Sequence, residues 1–180
     1  MRMTKEDTMA IIVDYQEKLV PAMHETVELI KSAVILVKGL KKLGIPMVVS
    51  QQYTKGLGET IAKVKAELPE DCKFIEKNTF TVYNEENKAL IDSYGKKNII
   101  VCGTETHICV LQTAIDLIAA GYNVFFPVDC VGSRTAFNKE YGIKRLMCEG
   151  GFVTSAEAVL FELAYSSKDE AFKTISDLIK

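Results

Sequence analysis

The chain has 180 residues, of which 48% are apolar and 26% are charged, and its formal net charge at pH 7 is −2. This length fits a single domain over residues 1–180. The slightly negative charge gives no sign of the basic surface that a nucleic-acid partner requires. No apolar run approaches the roughly 18 residues that a membrane-spanning helix needs, so no membrane contact is expected either.

The start of the chain and its cysteines indicate the compartment. Residues 1–7 are polar and lack the apolar region of a signal peptide. The five cysteines are odd in number and include no Cys-x-x-Cys spacing, so neither a disulfide framework nor a zinc ribbon is supported. These features predict a cytoplasmic protein.

Short apolar runs alternate with longer amphipathic segments along the chain. Strands are predicted at residues 9–13, 45–49, 74–75, 99–102, 124–128 and 152–153. Helices are predicted at residues 24–43, 57–68, 85–94, 107–120, 139–149, 155–163 and 169–179. Gly44 and Gly121 follow two of these helices, where a C-cap belongs. Such alternation predicts an α/β fold with a parallel sheet that helices cover on both faces.

Three chemically capable side chains follow predicted strands. Asp14 comes directly after the first strand, Lys77 follows the short third strand, and Cys109 opens the helix after the fourth. Taken singly, Asp14 fits an ordinary turn residue and Lys77 a solvated one. The carboxyl ends of parallel strands, however, meet at one edge of the sheet, where ligands bind. The three together therefore favour a site with an acid, a base and a thiol.

Cys109 is the candidate nucleophile. It lies in the first turn of its predicted helix, where backbone N–H groups lack intrahelical partners and carry partial positive charge. We expect this setting to lower the pKa of the thiol and to favour the nucleophilic thiolate. The remaining cysteines fit packing residues: Cys72, Cys102, Cys130 and Cys148.

Three separated motifs occur in a characteristic order: Asp14-x-Gln16, then Lys77, then the run Gly-Thr-Glu-Thr-His-Ile-Cys-Val from Gly103 to Val110. In these motifs the chain resembles the isochorismatase-like cysteine hydrolases, which include nicotinamidases and carbamoylsarcosine amidases. The resemblance extends over residues 9–163. It implies a three-layer, doubly wound parallel sheet of six strands in the order 3-2-1-4-5-6. It also implies a catalytic triad of Asp14, Lys77 and Cys109, and assembly into a homo-oligomer.

The residue types of this triad suit acyl transfer to water. Asp14 takes the thiol proton, the Lys77 ammonium stabilises the thiolate, and Cys109 attacks the carbonyl carbon of a small amide-like substrate. The C–N bond breaks to give a thioester, the acid at Asp14 protonates the leaving amine, and water hydrolyses the thioester. The oxyanion needs backbone N–H donors, of which Cys109 supplies one. The resemblance implies Glu105 as the other, with a cis peptide between Thr104 and Glu105.

The chain departs from the nicotinamidase pattern where those enzymes bind a metal. Residues 50–55, after the second strand, contain no histidine and no carboxylate, and His24 and His107 are the only histidines. We therefore expect no metal and no cofactor, as in the smaller, metal-free branch of the family that this segment resembles. The role of His107 stays open. The expected pocket residues are Gln16, Tyr53, Phe80 and His107.

Three other functions compete with this hypothesis. Nucleotide binding is disfavoured because the turn after the first strand holds two acids and no glycine. An isochorismatase-type vinyl-ether hydrolase is disfavoured because that enzyme does not rely on a cysteine at the position of Cys109. A non-catalytic oligomeric or interaction protein on the same fold stays open. Self-association is expected because residues 159–161 and 163–165 are more apolar than a solvated helix requires.

Overall fold

Seven parallel strands form one sheet in the middle of the protein, and the computed structural model describes residues 1–180. The strands are β1 (Thr8–Val13), β2 (Met47–Gln52), β3 (Lys73–Lys77), β4 (Asn98–Thr104), β5 (Asn123–Pro127), β6 (Val131–Gly132) and β7 (Phe152–Thr154). Their order is β3-β2-β1-β4-β5-β7, and β6 pairs with the end of β4. The order expected from the resemblance is therefore confirmed, with β7 in sixth place and the two-residue β6 added.

Helices flank the sheet in two groups. They are α1 (Thr26–Lys42), α2 (Thr54–Leu57), α3 (Ala62–Lys65), α4 (Lys88–Ser93), α5 (Leu111–Ala119), α6 (Ala136–Cys148), α7 (Ala156–Ala164) and α8 (Phe172–Ile179). The chain moves outward from β1 in one direction and from β4 in the other, so right-handed crossovers put the connecting helices on opposite faces. Accordingly, α1 packs with α7 and α8, whereas α5 packs with α6. None of these helices combines the length and the apolarity needed to cross a bilayer.

The central strands β1 and β4 are buried along their whole length. Strands covered on both faces read as continuous apolar runs rather than as alternating ones, which is why both could be predicted from the sequence. Their register pairs Met9 with Ile99 and Val13 with Gly103. As a result, Asp14 leaves the sheet directly beside the loop that follows β4.

The predicted helix over residues 57–68 is wrong. The segment instead forms the two short helices α2 and α3, separated by Gly58 with a φ of +78° and by Thr60, which bridges Gln16. The Thr60 backbone N–H also donates to Oε1 of Gln51, 3.0 Å away. A left-handed glycine and hydrogen bonds to other segments thus outweigh the helical spacing of the apolar residues.

The C-terminal apolar runs are not surplus surface. Val159, Leu160 and Leu163 are buried within the chain, and Leu160 packs so tightly on Gly39 of α1 that a Cβ there would lie 2.4 Å from the leucine Cδ2. Of these residues, Tyr165 alone is largely exposed, at 75%. The argument for self-association from these runs is therefore wrong, because α1 and α8 already cover them.

Gly103 allows β1 and β4 to approach each other at the site. A Cβ at this position would lie 1.9 Å from the Val13 carbonyl oxygen, and the φ of Gly103 is +137°. We expect Gly103→Ala to lower the free energy of unfolding by more than about 4 kcal/mol, measured by urea denaturation.

Gly121 offers a matched control for this substitution. Its φ is also positive, at +92°, but a Cβ there meets no atom within 4 Å. Gly121→Ala should therefore cost only about 1 to 3 kcal/mol, from backbone strain. Equal destabilisation by the two substitutions would contradict the steric explanation.

Candidate active site

Asp14 and Lys77 form a fully buried ion pair at the carboxyl edge of the sheet. Lys77 Nζ lies 2.7 Å from Asp14 Oδ2, and neither side chain is exposed to solvent. Asp14 follows β1 and Lys77 ends β3, which are not neighbours, so the lysine side chain reaches across the end of β2. The structure thus brings together two residues that are 63 positions apart in the chain.

Every N–H of the Lys77 ammonium has a partner. Besides Asp14, it donates to Gln52 Oε1 at 2.7 Å and to the Thr79 carbonyl oxygen at 3.3 Å. An ammonium has three donors, so none is left for a substrate. Lys77 therefore acts on the site through its charge and through the position it imposes on Asp14.

The Asp14 carboxylate is held at both oxygens. Oδ1 accepts a hydrogen bond from Ser50 Oγ at 2.7 Å, while Oδ2 faces Lys77. The backbone of Asp14 is left-handed, with a φ of +48°, and its carbonyl oxygen accepts from Thr104 Oγ1 at 2.6 Å. A buried charge is tolerated only when it is paired and hydrogen-bonded, and this carboxylate meets both conditions.

Cys109 lies in a π-helical turn, Thr106–Val110, rather than in the first turn of a regular α-helix. The pKa of its thiol is raised to about 12, by burial first and then by the charge of Asp14 and a hydrogen bond to it. The Lys77 charge lowers the pKa by less than these effects raise it. The expected lowering is therefore wrong: with 7% of the residue exposed, loss of hydration outweighs the helix start.

The backbone of Glu105 also affects the pKa of the thiol. A hydrogen bond from this backbone to the sulfur lowers the pKa of Cys109, against the larger effect of burial. The peptide between Thr104 and Glu105 is cis, as expected. Glu105 as one oxyanion donor, and the Cys109 N–H as the second, stay predictions.

A second polar cluster adjoins the turn after β4. Glu105 Oε2 accepts from Arg134 twice, from the backbone N at 3.2 Å and from Nε at 3.0 Å. His107 Nδ1 lies 3.0 Å from Ser133 Oγ. Burial lowers the pKa of His107, and nearby Arg134 lowers it too, while Glu105 opposes them. The His107 imidazole is consequently neutral at pH 7.

The other predicted pocket residues occupy different settings. Gln16 is fully buried, and its amide donates to the carbonyl oxygens of Gln52 and Gly58 and accepts from the Gln52 N–H. Gln16 therefore ties the ends of β1 and β2 together and is not accessible to a substrate. Tyr53 and Phe80 are each 53% exposed, and a Cβ on Gly56 would lie 2.3 Å from the Tyr53 ring.

Several residues of the site have no role in the sequence-based prediction. Ser50 and Gln52 follow the second predicted strand, so the sequence indicates that they lie at the edge of the sheet. It does not indicate that they hydrogen-bond to Asp14 and Lys77. Ser133 and Arg134 follow β6, which has two residues and is too short to give a periodic signal. Side chains that support a site from such short strands are found only once the fold is known.

Similar proteins share this architecture over nearly the whole chain. A family model described as the isochorismatase domain matches residues 8–158. The secreted isochorismatase effector Isc1 of Phytophthora sojae is 32% identical over 183 residues, which covers 99% of this chain and 87% of that protein. The structure of MAR1 ribonuclease from Caenorhabditis elegans has a TM-score of 0.94 at 31% identity, and covers 99% of this chain and 92% of that one.

A more distant structure shows the same fold. The YcaC gene product of Escherichia coli, described as an octameric hydrolase of unknown specificity, has a TM-score of 0.93 at 22% identity. The match covers 98% of this chain and 90% of that one.

Removing the charge of Asp14 should make Cys109 more reactive toward an alkylating agent. Because Asp14 raises the pKa of the thiol, Asp14→Asn lowers that pKa and increases the thiolate fraction at pH 7. We expect iodoacetamide to alkylate Cys109 roughly tenfold faster in Asp14→Asn than in the wild type, since one pKa unit changes the thiolate fraction tenfold. Site-resolved mass spectrometry gives the rate.

Two comparisons make this measurement decisive. Glu59→Gln removes an exposed acid and should leave the rate unchanged. In the wild type the rate should rise steadily with pH above neutrality, because the thiol stays protonated until pH approaches its pKa of about 12. An unchanged rate in a folded Asp14→Asn protein would mean that Asp14 does not act on the thiol.

Proposed function

Because the chain belongs to the isochorismatase domain family, we propose that it is a cysteine-dependent amidase of that family, acting on the C–N bond of a small molecule. Its fold is that of isochorismatase-like hydrolases. The observation that carries the finer proposal is the buried Asp14–Lys77 pair, whose carboxylate acts on the pKa of the Cys109 thiol. A packing cysteine has no need of a buried acid beside it.

The raised pKa of the thiol defines what Asp14 has to do. A pKa of about 12 leaves only about one thiol in 10⁵ ionised at pH 7. A preformed thiolate is therefore not the resting state, and the proton moves to Asp14 as the sulfur attacks the carbonyl carbon. Lys77 keeps the carboxylate in place and balances the negative charge that develops on the sulfur.

The remaining steps follow from the same groups. The tetrahedral oxyanion is stabilised by the backbone N–H groups of Glu105 and Cys109. When the C–N bond breaks, the proton on Asp14 passes to the leaving amine, and the acyl group stays on the sulfur as a thioester. A water molecule then gives a proton to Asp14 and attacks the thioester carbonyl carbon. The C–S bond breaks, the acid leaves, and Asp14 returns the proton to the sulfur, which restores the thiol.

We propose that this hydrolysis needs no metal and no cofactor. Gln51, Gln52 and Tyr53 at the end of β2 offer no carboxylate and no imidazole, and their neighbours are already engaged. The Gln52 amide oxygen, for example, accepts a hydrogen bond from Lys77. These side chains are poor metal ligands, which favours a mechanism that relies on proton transfer alone.

RNA cleavage is the second candidate, because the similar Caenorhabditis elegans structure is described as a ribonuclease. The features of this chain favour a small-molecule substrate instead. Its formal net charge is −2, and the Lys77 ammonium has no donor left for a phosphate. Vinyl-ether hydrolysis and a non-catalytic role on the same fold predict different outcomes of the experiment that follows.

The proposal is tested with a panel of small amides, ureas and imides, a vinyl ether and a labelled RNA. We expect ammonia or amine release from at least one C–N substrate, and no RNA cleavage. Cys109→Ala should abolish this release, and Asp14→Asn should reduce it by about 10² to 10⁴-fold through loss of the base. Prior treatment with EDTA should leave the rate unchanged.

Several outcomes would overturn parts of the proposal. Turnover that survives Cys109→Ala would exclude the thioester, and turnover lost with EDTA and restored by a metal would exclude the metal-free mechanism. RNA cleavage lost in Cys109→Ala would favour the second candidate. Cys148→Ala is the matched control, since Cys148 is exposed and lies on α6 outside the site.

A cytoplasmic location is proposed on the state of the cysteines. All five are free thiols, and Cys102, Cys109 and Cys130 are buried. Free thiols persist in a reducing compartment. The Phytophthora sojae relative is described as secreted, which is a property of that protein.

We also propose that the protein self-associates, through a different surface from the one expected. On α6, Phe137 is 64% exposed, Tyr141 is 52% exposed, and their rings are 4.4 Å apart one turn along the helix. Met147, further along α6, is 58% exposed. Exposed aromatic clusters of this kind are typical of protein interfaces. The similar Escherichia coli protein is described as octameric.

Light scattering at micromolar concentration should give a mass larger than one chain. The double substitution Phe137→Ser and Tyr141→Ser should shift the mass toward the monomer, because it removes the aromatic pair. Val27→Ser, at a residue of α1 that is 74% exposed, is the control and should leave the mass unchanged. A monomeric wild type would contradict the proposal.

A further inference from the structure

Gln52 is the last residue of β2, and the register of the sheet pairs it with Lys77, the last residue of β3. Residues that are paired on adjacent strands point to the same face of the sheet, so these two side chains are neighbours. Gln52 Oε1 accepts a hydrogen bond from the Lys77 ammonium at 2.7 Å, and the bond from the ammonium to Asp14 is equally short at 2.7 Å. Lys77 thus has two side-chain partners, of which one is charged and the other is neutral.

The orientation of the Gln52 amide is fixed by its other contacts. Its Nε2 donates to the Asn78 carbonyl oxygen at 3.0 Å, which leaves Oε1 for the lysine, since an ammonium can only donate. The fully buried Gln16 holds the backbone of Gln52 on both sides. Gln16 Oε1 accepts from the Gln52 N–H at 2.7 Å, and Gln16 Nε2 donates to the Gln52 carbonyl oxygen at 2.9 Å. Gln52 is therefore a fixed acceptor for Lys77.

The charges around the sulfur balance only if residue 52 is neutral. At rest, the negative charge of Asp14 cancels the positive charge of Lys77, and the Cys109 thiol is neutral. After the proposed proton transfer, Asp14 is neutral and the charge of Lys77 cancels that of the sulfur. A carboxylate at position 52 would add one negative charge without a counter-charge in both states. Such a charge is costly where burial limits hydration.

We infer that Gln52 is a positioning residue for the proposed reaction, because it holds Lys77 beside the sulfur without cancelling the charge of the lysine. This inference rests on the proposed function and deepens it. Once Asp14 has taken the thiol proton, its attraction for the ammonium falls, and Gln52 still holds the ammonium. The positive charge of Lys77, which lowers the pKa of Cys109, is then left to stabilise the negative sulfur.

The competing explanation is that Gln52 only satisfies one hydrogen bond of the lysine. A glutamate would do this at least as well, because a carboxylate is a stronger acceptor for an ammonium than an amide is. If only the hydrogen bond matters, Gln52→Glu is harmless. If the neutral charge matters, the same substitution impairs the thiol.

The test measures alkylation of Cys109 with iodoacetamide at pH 7, by site-resolved mass spectrometry. In Gln52→Glu we expect the rate to fall roughly tenfold, the effect of one pKa unit, because the added negative charge raises the pKa of the thiol. Gln52 is only partly buried, so the variant is expected to fold.

Gln52→Met separates the charge from the hydrogen bond. It keeps residue 52 neutral but removes the amide acceptor, so one N–H of the buried ammonium loses its partner. The midpoint of thermal unfolding should therefore fall. The alkylation rate should stay within about threefold of the wild type, since Asp14 still binds Lys77 in the resting protein.

Gln51→Glu is the matched control. It makes the same change one residue earlier, on the opposite face of β2, where the side chain accepts hydrogen bonds from Thr60. Its alkylation rate should equal that of the wild type. An unchanged or faster rate in Gln52→Glu would overturn the inference. Equal rates in Gln52→Glu and Gln52→Met would overturn it too, as would a Gln52→Glu protein that fails to fold while Gln52→Met folds.

Turnover provides a second readout. If the proposed function holds, Gln52→Glu should lower kcat roughly tenfold and leave KM nearly unchanged, because Gln52 acts on the sulfur through Lys77 and not on the substrate. A change in KM alone would show that Gln52 binds the substrate and would overturn the inference. Absence of turnover in the wild type, together with tenfold slower alkylation in Gln52→Glu, would reject the amidase but retain the effect of Gln52 on the thiol.

Discussion

The buried ion pair between Asp14 and Lys77 is the interaction on which the site depends. Its two members come from strands that are not neighbours, so the pair forms only when β1, β2 and β3 are correctly ordered. Removing one partner of a buried pair costs about 3 to 5 kcal/mol, because the other charge is left without compensation. Two residues of β2 reduce the free-energy cost of burying these charges. Ser50 donates a hydrogen bond to Asp14, and Gln52 accepts one from Lys77.

In the proposed mechanism, this arrangement lets a thiol with a raised pKa serve as a nucleophile. Burial removes water from Cys109, which disfavours the free thiolate but also strengthens every charge interaction around it. The Asp14 carboxylate, held by Ser50 and Lys77, is the proton acceptor proposed for the moment of attack. The close approach of β1 and β4 at Gly103 places that acid next to the nucleophile loop.

A second pair, Glu105 and Arg134, extends the site toward solvent. The inner pair, Asp14 and Lys77, is fully buried. In the outer pair the Arg134 side chain is largely exposed, whereas the Glu105 side chain is mostly buried. The inner pair is the one that the proposed proton transfer uses. Both pairs contact the turn after β4, since Thr104 Oγ1 donates to the Asp14 carbonyl oxygen and Glu105 belongs to that turn.

Local sequence signals were sufficient for the strands, their α/β alternation and the positions of Asp14, Lys77 and Cys109, because buried strands read as apolar runs and the reactive groups follow their ends. The resemblance added the strand order and the cis peptide. Tertiary structure alone decided the direction of the Cys109 pKa shift, the burial of Gln16, the break at Gly58 and the pairing of Arg134. Each of these depends on atoms from distant segments, since hydration and charge around a group are set by whatever the fold packs against it.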